Sequence, residues 1–175
     1  MKRLFVLFSL LSCVGASAQT MKNFYRQAKH DEGTLYFVLP REMACCEAKP
    51  REVAGSLSYD YTYLDSRDSV TVLMTVTTGG AFEADSVCFE IARGAWGFGV
   101  EPIYCTVGKR ERQNRLRCIV PYDLWVEMYR APEPFVLRIF SSESGVELGF
   151  SDKRKTWKKI RPYFERLQET IRLNR

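Results

Sequence analysis

Two segments of this chain alternate their side chains with a period of two, and they do so in step with each other. If residues 57–63 run antiparallel to 70–76, Leu57, Tyr59, Tyr61 and Tyr63 oppose Val76, Met74, Val72 and Val70. All of these are apolar or aromatic. The opposite face carries Ser56, Ser58, Asp60 and Thr62 against Thr77, Thr75, Leu73 and Thr71. Side chains of a strand point alternately to the two faces, so a slip of one residue would turn the whole apolar row to water. The pattern therefore predicts a hairpin with one dry face, closed by Asp65-Ser66-Arg67-Asp68, residue types suited to a turn. Such a hairpin is not stable alone, and its dry face must be covered by other elements.

Two further hairpins follow from the same reasoning. Ile103, Cys105 and Val107 would oppose Val120, Cys118 and Leu116, joined by the charged stretch 109–115. Phe135, Leu137 and Ile139 would oppose Phe150, Leu148 and Val146, with 141–144 as the turn. Residues 34–39 and 86–91 are additional strand candidates. Residues 94–99 hold Gly94, Gly97 and Gly99 beside Trp96 and Phe98, and read as a bulge or loop over the core.

Helical periodicity occurs at three places. Met21, Phe24, Tyr25 and Ala28 are spaced i, i+3, i+4, i+7, which predicts a short helix over 20–32 ended by Gly33. Residues 122–130 predict a second short helix with Leu124, Trp125 and Met128 facing inward. Over 152–173, Trp157, Ile160, Phe164, Leu167 and Ile171 make one apolar stripe. Ser151 is a candidate N-cap there, and Pro162 predicts a kink. The expected fold class is α+β and mainly antiparallel: about eight strands in a sandwich or open barrel, with a short N-terminal helix and a long C-terminal helix packed on the sheet.

The front of the chain reads as an export signal. Lys2 and Arg3 precede an apolar run over 4–14, too short for the ~30 Å hydrocarbon core of a bilayer, and Ala16-Ser17-Ala18 is a small-x-small cleavage pattern. Residues 1–18 are then a leader and 19–175 a single domain. The leader resembles those of Gram-negative secreted proteins, so the expected location is the periplasm or cell surface. Leu10-Leu11-Ser12-Cys13 offers the alternative of a lipoprotein anchored through Cys13. No later stretch is apolar for long enough to span a membrane as a helix.

Composition narrows the chemistry. With a single histidine, multi-His metal sites are excluded and any catalytic triad must use His30. His30 lies among Lys29, Asp31 and Glu32, where it reads as an exposed side chain, and no G-x-S-x-G nucleophile motif accompanies it. Zinc-type ligand spacing, C-x-x-C and a phosphate-binding glycine loop are all missing from the sequence, so no catalytic, cofactor or metal residues are assigned. In an oxidising compartment Cys105 and Cys118 could bridge across their hairpin, or they could be small apolar residues of its dry face. Cys88 would be buried or paired with Cys45 or Cys46.

Charge is divided unevenly. Residues 19–150 contain 15 basic and 18 acidic side chains, whereas 151–175 contain 9 basic and 3 acidic. Lys153, Arg154, Lys155, Lys158 and Lys159 crowd the start of the last helix, where its dipole disfavours cations. A second group, Lys109, Arg110, Arg112, Arg115 and Arg117, gathers at a hairpin tip. Both point to an acidic partner surface, anionic lipid or acidic polysaccharide, while nucleic acid is not expected outside the cytosol. Tyr59, Tyr61, Tyr63 and Trp157 are either core or the lining of an apolar ligand site between the sheet and the last helix. The function expected from these features is a non-catalytic binding or interaction module of the envelope. The alternatives are a carrier of an apolar small molecule and a hydrolase with an unmarked carboxylate site.

Overall fold

The computed structural model describes residues 21–50, 55–80, 82–109 and 111–174. The leader assignment, with Lys2, Arg3, Cys13 and Ala16-Ser17-Ala18, lies outside the described residues, as does Arg110. The strands are β1 (Tyr25–His30), β2 (Gly33–Lys49), β3 (Gly55–Leu64), β4 (Ser69–Thr78), β5 (Ser86–Ile91), β6 (Gly94–Gly99), β7 (Glu101–Val107), β8 (Arg112–Pro121), β9 (Val136–Ser141) and β10 (Val146–Ser151). The helices are α1 (Tyr122–Arg130) and α2 (Arg154–Asn174).

All strand pairs are antiparallel. Nine strands follow one hydrogen-bonded path, β6-β5-β9-β10-β2-β3-β4-β8-β7, and β1 adds beside β2. The long strand β2 makes this path curl. Seventeen residues would reach roughly 55 Å if straight. Instead the pairing with β3 slips between Val38 and Arg41, at Leu39-Pro40, and a second slip in the pairing with β10 leaves Cys46 as an extra residue. Bulges bend a strand and increase its twist. Before the first slip β2 pairs with β1, and after it with β10, so one strand serves both halves of a curled half-barrel. β6 and β7 end the path and are joined through Val100, whose N–H donates to the Asp85 carbonyl.

The concave face is dry and is filled by the helices. Tyr59, Tyr61 and Tyr63 of β3, Val70, Val72, Met74 and Val76 of β4, and Leu116, Cys118 and Val120 of β8 are all buried in alternation. Trp125, Met128 and Tyr129 of α1 and Trp157, Phe164, Leu167 and Ile171 of α2 pack against them. The ends of α1 are written in its sequence. Asp123 lies in the first turn and Arg130 in the last, as the dipole favours. Pro132 holds Ala131 out of the helical region (ψ 137°), so the helix stops there.

Several expectations are corrected. One continuous path replaces the two facing sheets of a sandwich, and the described strands number ten rather than about eight. Of the helix expected over 20–32, only Met21 and Lys22 are helical among the described residues; a turn at 23–24 leads into β1, which pairs with β2 through a two-residue turn at Asp31-Glu32. The apolar residues behind the helical reading do make contacts, but singly: Phe24 packs on Phe164 and Tyr163, and Tyr25 on Tyr36. Covering the open edge of β2 outweighs the weak local helical preference. Residues 94–99 form β6, paired along their whole length with β5. β9 and β10 pair Leu137 with Phe150 and Ile139 with Leu148, two residues from the expected register, because the turn extends to Gly145 at φ +65°. Ser151 does not cap α2; its hydroxyl donates to the Phe135 carbonyl.

Gly33 is fixed by its surroundings. Its φ is +143°, a region that L side chains rarely occupy, and a Cβ there would overlap the Asp65 carboxylate. That carboxylate accepts the Thr34 N–H at 2.9 Å, tying the β1–β2 turn to the β3–β4 turn. Gly33→Ala should therefore lower stability by about 1–3 kcal/mol, read as a lower urea midpoint, whereas an unchanged midpoint would show that the turn relaxes freely.

Candidate functional site

The positive start of α2 stands on a fixed platform. The Trp157 N–H donates to the Lys153 carbonyl at 2.9 Å, and its indole Nε1 donates to the Ala131 carbonyl at 3.1 Å. Trp157 itself is fully buried, so the first turn is pinned to the α1–β9 loop from beneath. Arg154 closes a two-pronged pair with Glu133, Nε to Oε2 at 2.6 Å and Nη2 to Oε1 at 2.7 Å, and the guanidinium holds the Glu133 carboxyl below its usual range. Lys153, Lys155, Lys158 and Lys159 remain exposed around this anchor, and no acidic residue lies in the first turn. Cations at a helix N-terminus each cost roughly 0.3–1 kcal/mol.

The second basic group behaves differently, because its described arginines, Arg112, Arg115 and Arg117, are already paired. Arg112 pairs with Glu83 at 2.7 Å and donates Nε to the Cys105 sulfur at 3.0 Å. Arg115 pairs with Asp60 and donates to Thr75 Oγ1, and Arg117 pairs with Glu101. Lys109 is exposed. The helix start is tied to Glu133, and the hairpin tip to Glu83 in the β4–β5 loop.

Tyr59, Tyr61, Tyr63 and Trp157 are brought together, but around other rings. Tyr61 meets Trp125 edge-on at 4.9 Å and lies parallel to Phe164 at 6.3 Å. Tyr63 stacks on Tyr122 at 4.2 Å, and Trp157 stacks on Tyr129 at 5.6 Å. The Tyr59 and Tyr129 hydroxyls share a hydrogen bond at 2.9 Å, and burial pushes the Tyr59 phenol up to about 12. These side chains occupy the space between the sheet and α2 that a carried apolar ligand would need.

Of the two readings of Cys105 and Cys118, a bridge or small apolar residues, the observed register does not set the two opposite each other. Cys105 opposes Asn114, with a bulge at Ile103, while Cys118 points into the core, where burial pushes its thiol up to about 12. Cys45, Cys46, Cys88, Cys105 and Cys118 are all free thiols. Cys46 and Cys88 flank Arg138 on the convex face, and burial raises both. Arg138 joins Glu47, Glu90 and Glu147 at 2.7–2.8 Å, linking β2, β5, β9 and β10. Raised thiol pKa values leave little thiolate, so none of these three is a poised nucleophile. His30 sits exposed in the β1–β2 turn, its Nδ1 accepting the Glu32 N–H at 3.2 Å.

One feature escaped the sequence: an open groove of about 1020 Å³ between α1 and α2, floored by Val126 and Ile171. Its rims carry Asp123, Glu127 and Arg130 on α1 and Glu165, Glu169 and Arg172 on α2. The signal was present as polar residues at i, i+4 spacing on both helices, but nothing local says that these sides face each other. Arg93 reaches in to Glu127 at 3.8 Å, and the Tyr122 hydroxyl donates to Gln168 across the floor. Each rim carries two carboxylates followed by one arginine, so both signs of charge line the groove.

Among the described residues, no group of three or more His, Cys, Asp or Glu side chains is placed to hold a metal ion, and no helix is long and apolar enough to cross a membrane. No family model, curated protein or solved structure matches the chain.

Proposed function

We propose that this is an exported, non-catalytic binding module that docks on an anionic lipid surface of the bacterial envelope through the start of α2. The observation that carries this reading is the ring of exposed lysines 153, 155, 158 and 159 around the Trp157 anchor, with Arg154 alone neutralised. A cationic cluster held rigidly at the unfavourable end of a helix dipole is a standing cost to folding that binding a polyanion would offset. The aromatic-filled interior supports docking over carriage, and the leader over residues 1–18 supports the envelope as the place.

The test is cosedimentation with vesicles containing phosphatidylglycerol against vesicles of phosphatidylcholine alone, at low and raised salt. Binding should be confined to the anionic vesicles and should weaken as salt is raised. A basic residue near an anionic bilayer contributes about 1 kcal/mol, so reversing Lys155, Lys158 and Lys159 together to Glu should weaken binding on the order of 100-fold or more. Lys109→Glu should change it little. Failure to bind anionic vesicles at low salt would refute the reading. Binding to an acidic polysaccharide such as dextran sulfate, but not to vesicles, would replace the lipid with a glycan.

A further inference from the structure

We infer that the docking surface is the whole outward ridge of α2, which lies lengthwise on the anionic bilayer and sets Leu173 into its apolar layer. This rests on the reading of the lysine ring as a lipid-docking site and extends that site to the far end of the helix. The buried stripe fixes where the ridge is. Trp157, Phe164 and Ile171 are all buried at intervals of seven, so the helix keeps its phase through Pro162. At about 100° per residue, the positions turned away from that stripe are Lys155, Pro162, Arg166, Glu169 and Leu173, flanked by Lys158, Lys159 and Glu165. Each of them is exposed, Leu173 at 70%.

The unopposed charge on this ridge has one sign. Its two carboxylates are held by arginines of the same helix, Glu165 by Arg161 at 3.1 Å and Glu169 by Arg172 at 2.6 Å. Among the described residues, Lys155, Lys158, Lys159 and Arg166 enter no ion pair. Arg166 lies about 16 Å along the axis from Lys155, and the ridge reaches Leu173 after about 27 Å. The occupant follows from this shape. A compact anion would need only the three lysines at one end. A row of cations that ends in an exposed leucine matches a flat surface with negative charge on top and hydrocarbon beneath. An acidic polysaccharide would match the cations but offers nothing to Leu173. The apolar stripe of α2 is already buried in the core, so that face cannot insert, and the contact falls to the long basic side chains.

Two measurements test this. In cosedimentation with phosphatidylglycerol vesicles, Arg166→Glu should weaken binding by about tenfold or more, and Arg166→Gln by less, with the circular dichroism spectrum and melting temperature unchanged. Docking by the helix start alone predicts that both variants bind like the unsubstituted protein. In Leu173→Trp, vesicles of phosphatidylglycerol brominated in the acyl chains should quench the introduced indole, in excess of any quenching of Trp96, Trp125 and Trp157 in the unsubstituted protein. Unchanged binding of Arg166→Glu, or no excess quenching in Leu173→Trp, overturns the lengthwise contact. Loss of binding on reversal of Lys155, Lys158 and Lys159 would in that case still uphold the lysine-ring site. An unsubstituted protein that does not bind anionic vesicles removes both.

Discussion

Phe164→Ala should lower the free energy of unfolding by about 3–5 kcal/mol, a large part of the roughly 5–15 kcal/mol that holds a domain together. Phe164 is fully buried in the middle of the α2 stripe. It stacks on Tyr129 at 3.5 Å, lies parallel to Tyr61 at 6.3 Å and meets Phe24 edge-on at 4.7 Å. The Arg41 guanidinium sits over its ring at 5.7 Å. One side chain thus contacts β3, α1, the segment before β1 and the bend in β2. Truncating it removes a ring's worth of apolar burial and opens a hole whose walls are other rigid rings, which cannot collapse to fill it. The measurement is urea unfolding followed by far-UV circular dichroism. The midpoint should fall with little change in slope, and Phe164→Leu should recover much of the loss. A midpoint within experimental scatter of the unsubstituted protein would mean that α2 is not docked in the half-barrel as described. Ile160→Ala, at a half-buried position on the same helix, should cost distinctly less.

The same residues show why some of this structure was legible in the sequence. The β3–β4 register was readable to the residue because one face is dry, and any odd slip would expose Tyr59, Tyr61 and Tyr63 together. The α2 stripe was readable for the equivalent reason. Between β9 and β10, a slip of two preserves the faces, so alternation could not choose, and the choice fell to Gly145 in the turn. β7 is exposed on every residue, so its alternation carried no information, and the pairing of Cys105 with Cys118 rested on a register that nothing enforced. β1 is set by a neighbour's need for a partner, which no local period records. At the candidate site, the lysine ring at α2 was visible as a charge run. The pairing of Arg112, Arg115 and Arg117 in the second group was not, because Glu83, Asp60 and Glu101 reach them from other strands and loops.

Arg41→Met should be the most damaging single change of charge in the molecule, at about 3–5 kcal/mol near neutral pH, because it leaves a buried carboxylate without its partner. Arg41 follows the bulge of β2, and Asp152 lies between β10 and α2. Nη2 reaches Oδ1 at 3.2 Å and Oδ2 at 3.4 Å, with the side chains 13% and 3% exposed. Burial raises the Asp152 carboxyl above its usual range, and the attraction of Arg41 offsets this only in part. Arg41 Nη1 is itself buried without a hydrogen-bond partner. The pair therefore joins β2 to the start of α2 at a net electrostatic cost, and its two halves are not equivalent. Because the folded pKa of Asp152 lies above the unfolded one, the folded chain holds this proton more tightly. The stability so gained is present below the unfolded pKa and is lost as pH rises through the folded pKa. Removing Arg41 takes away the lowering influence, so the deficit of Arg41→Met should shrink as the pH is taken down and Asp152 protonates. Asp152→Asn removes the charge that burial penalises and keeps one oxygen for the guanidinium, so it should cost less than Arg41→Met at neutral pH. The double change Arg41→Met with Asp152→Leu should be less destabilised than Arg41→Met alone, since an apolar pair of similar volume avoids both desolvation costs. Urea midpoints for the three variants at pH 5 and pH 7.5 decide the matter. A deficit for Arg41→Met that is the same at both pH values would assign the damage to lost packing over Phe164 instead, and one that grows on acidification would reverse the sign of the argument.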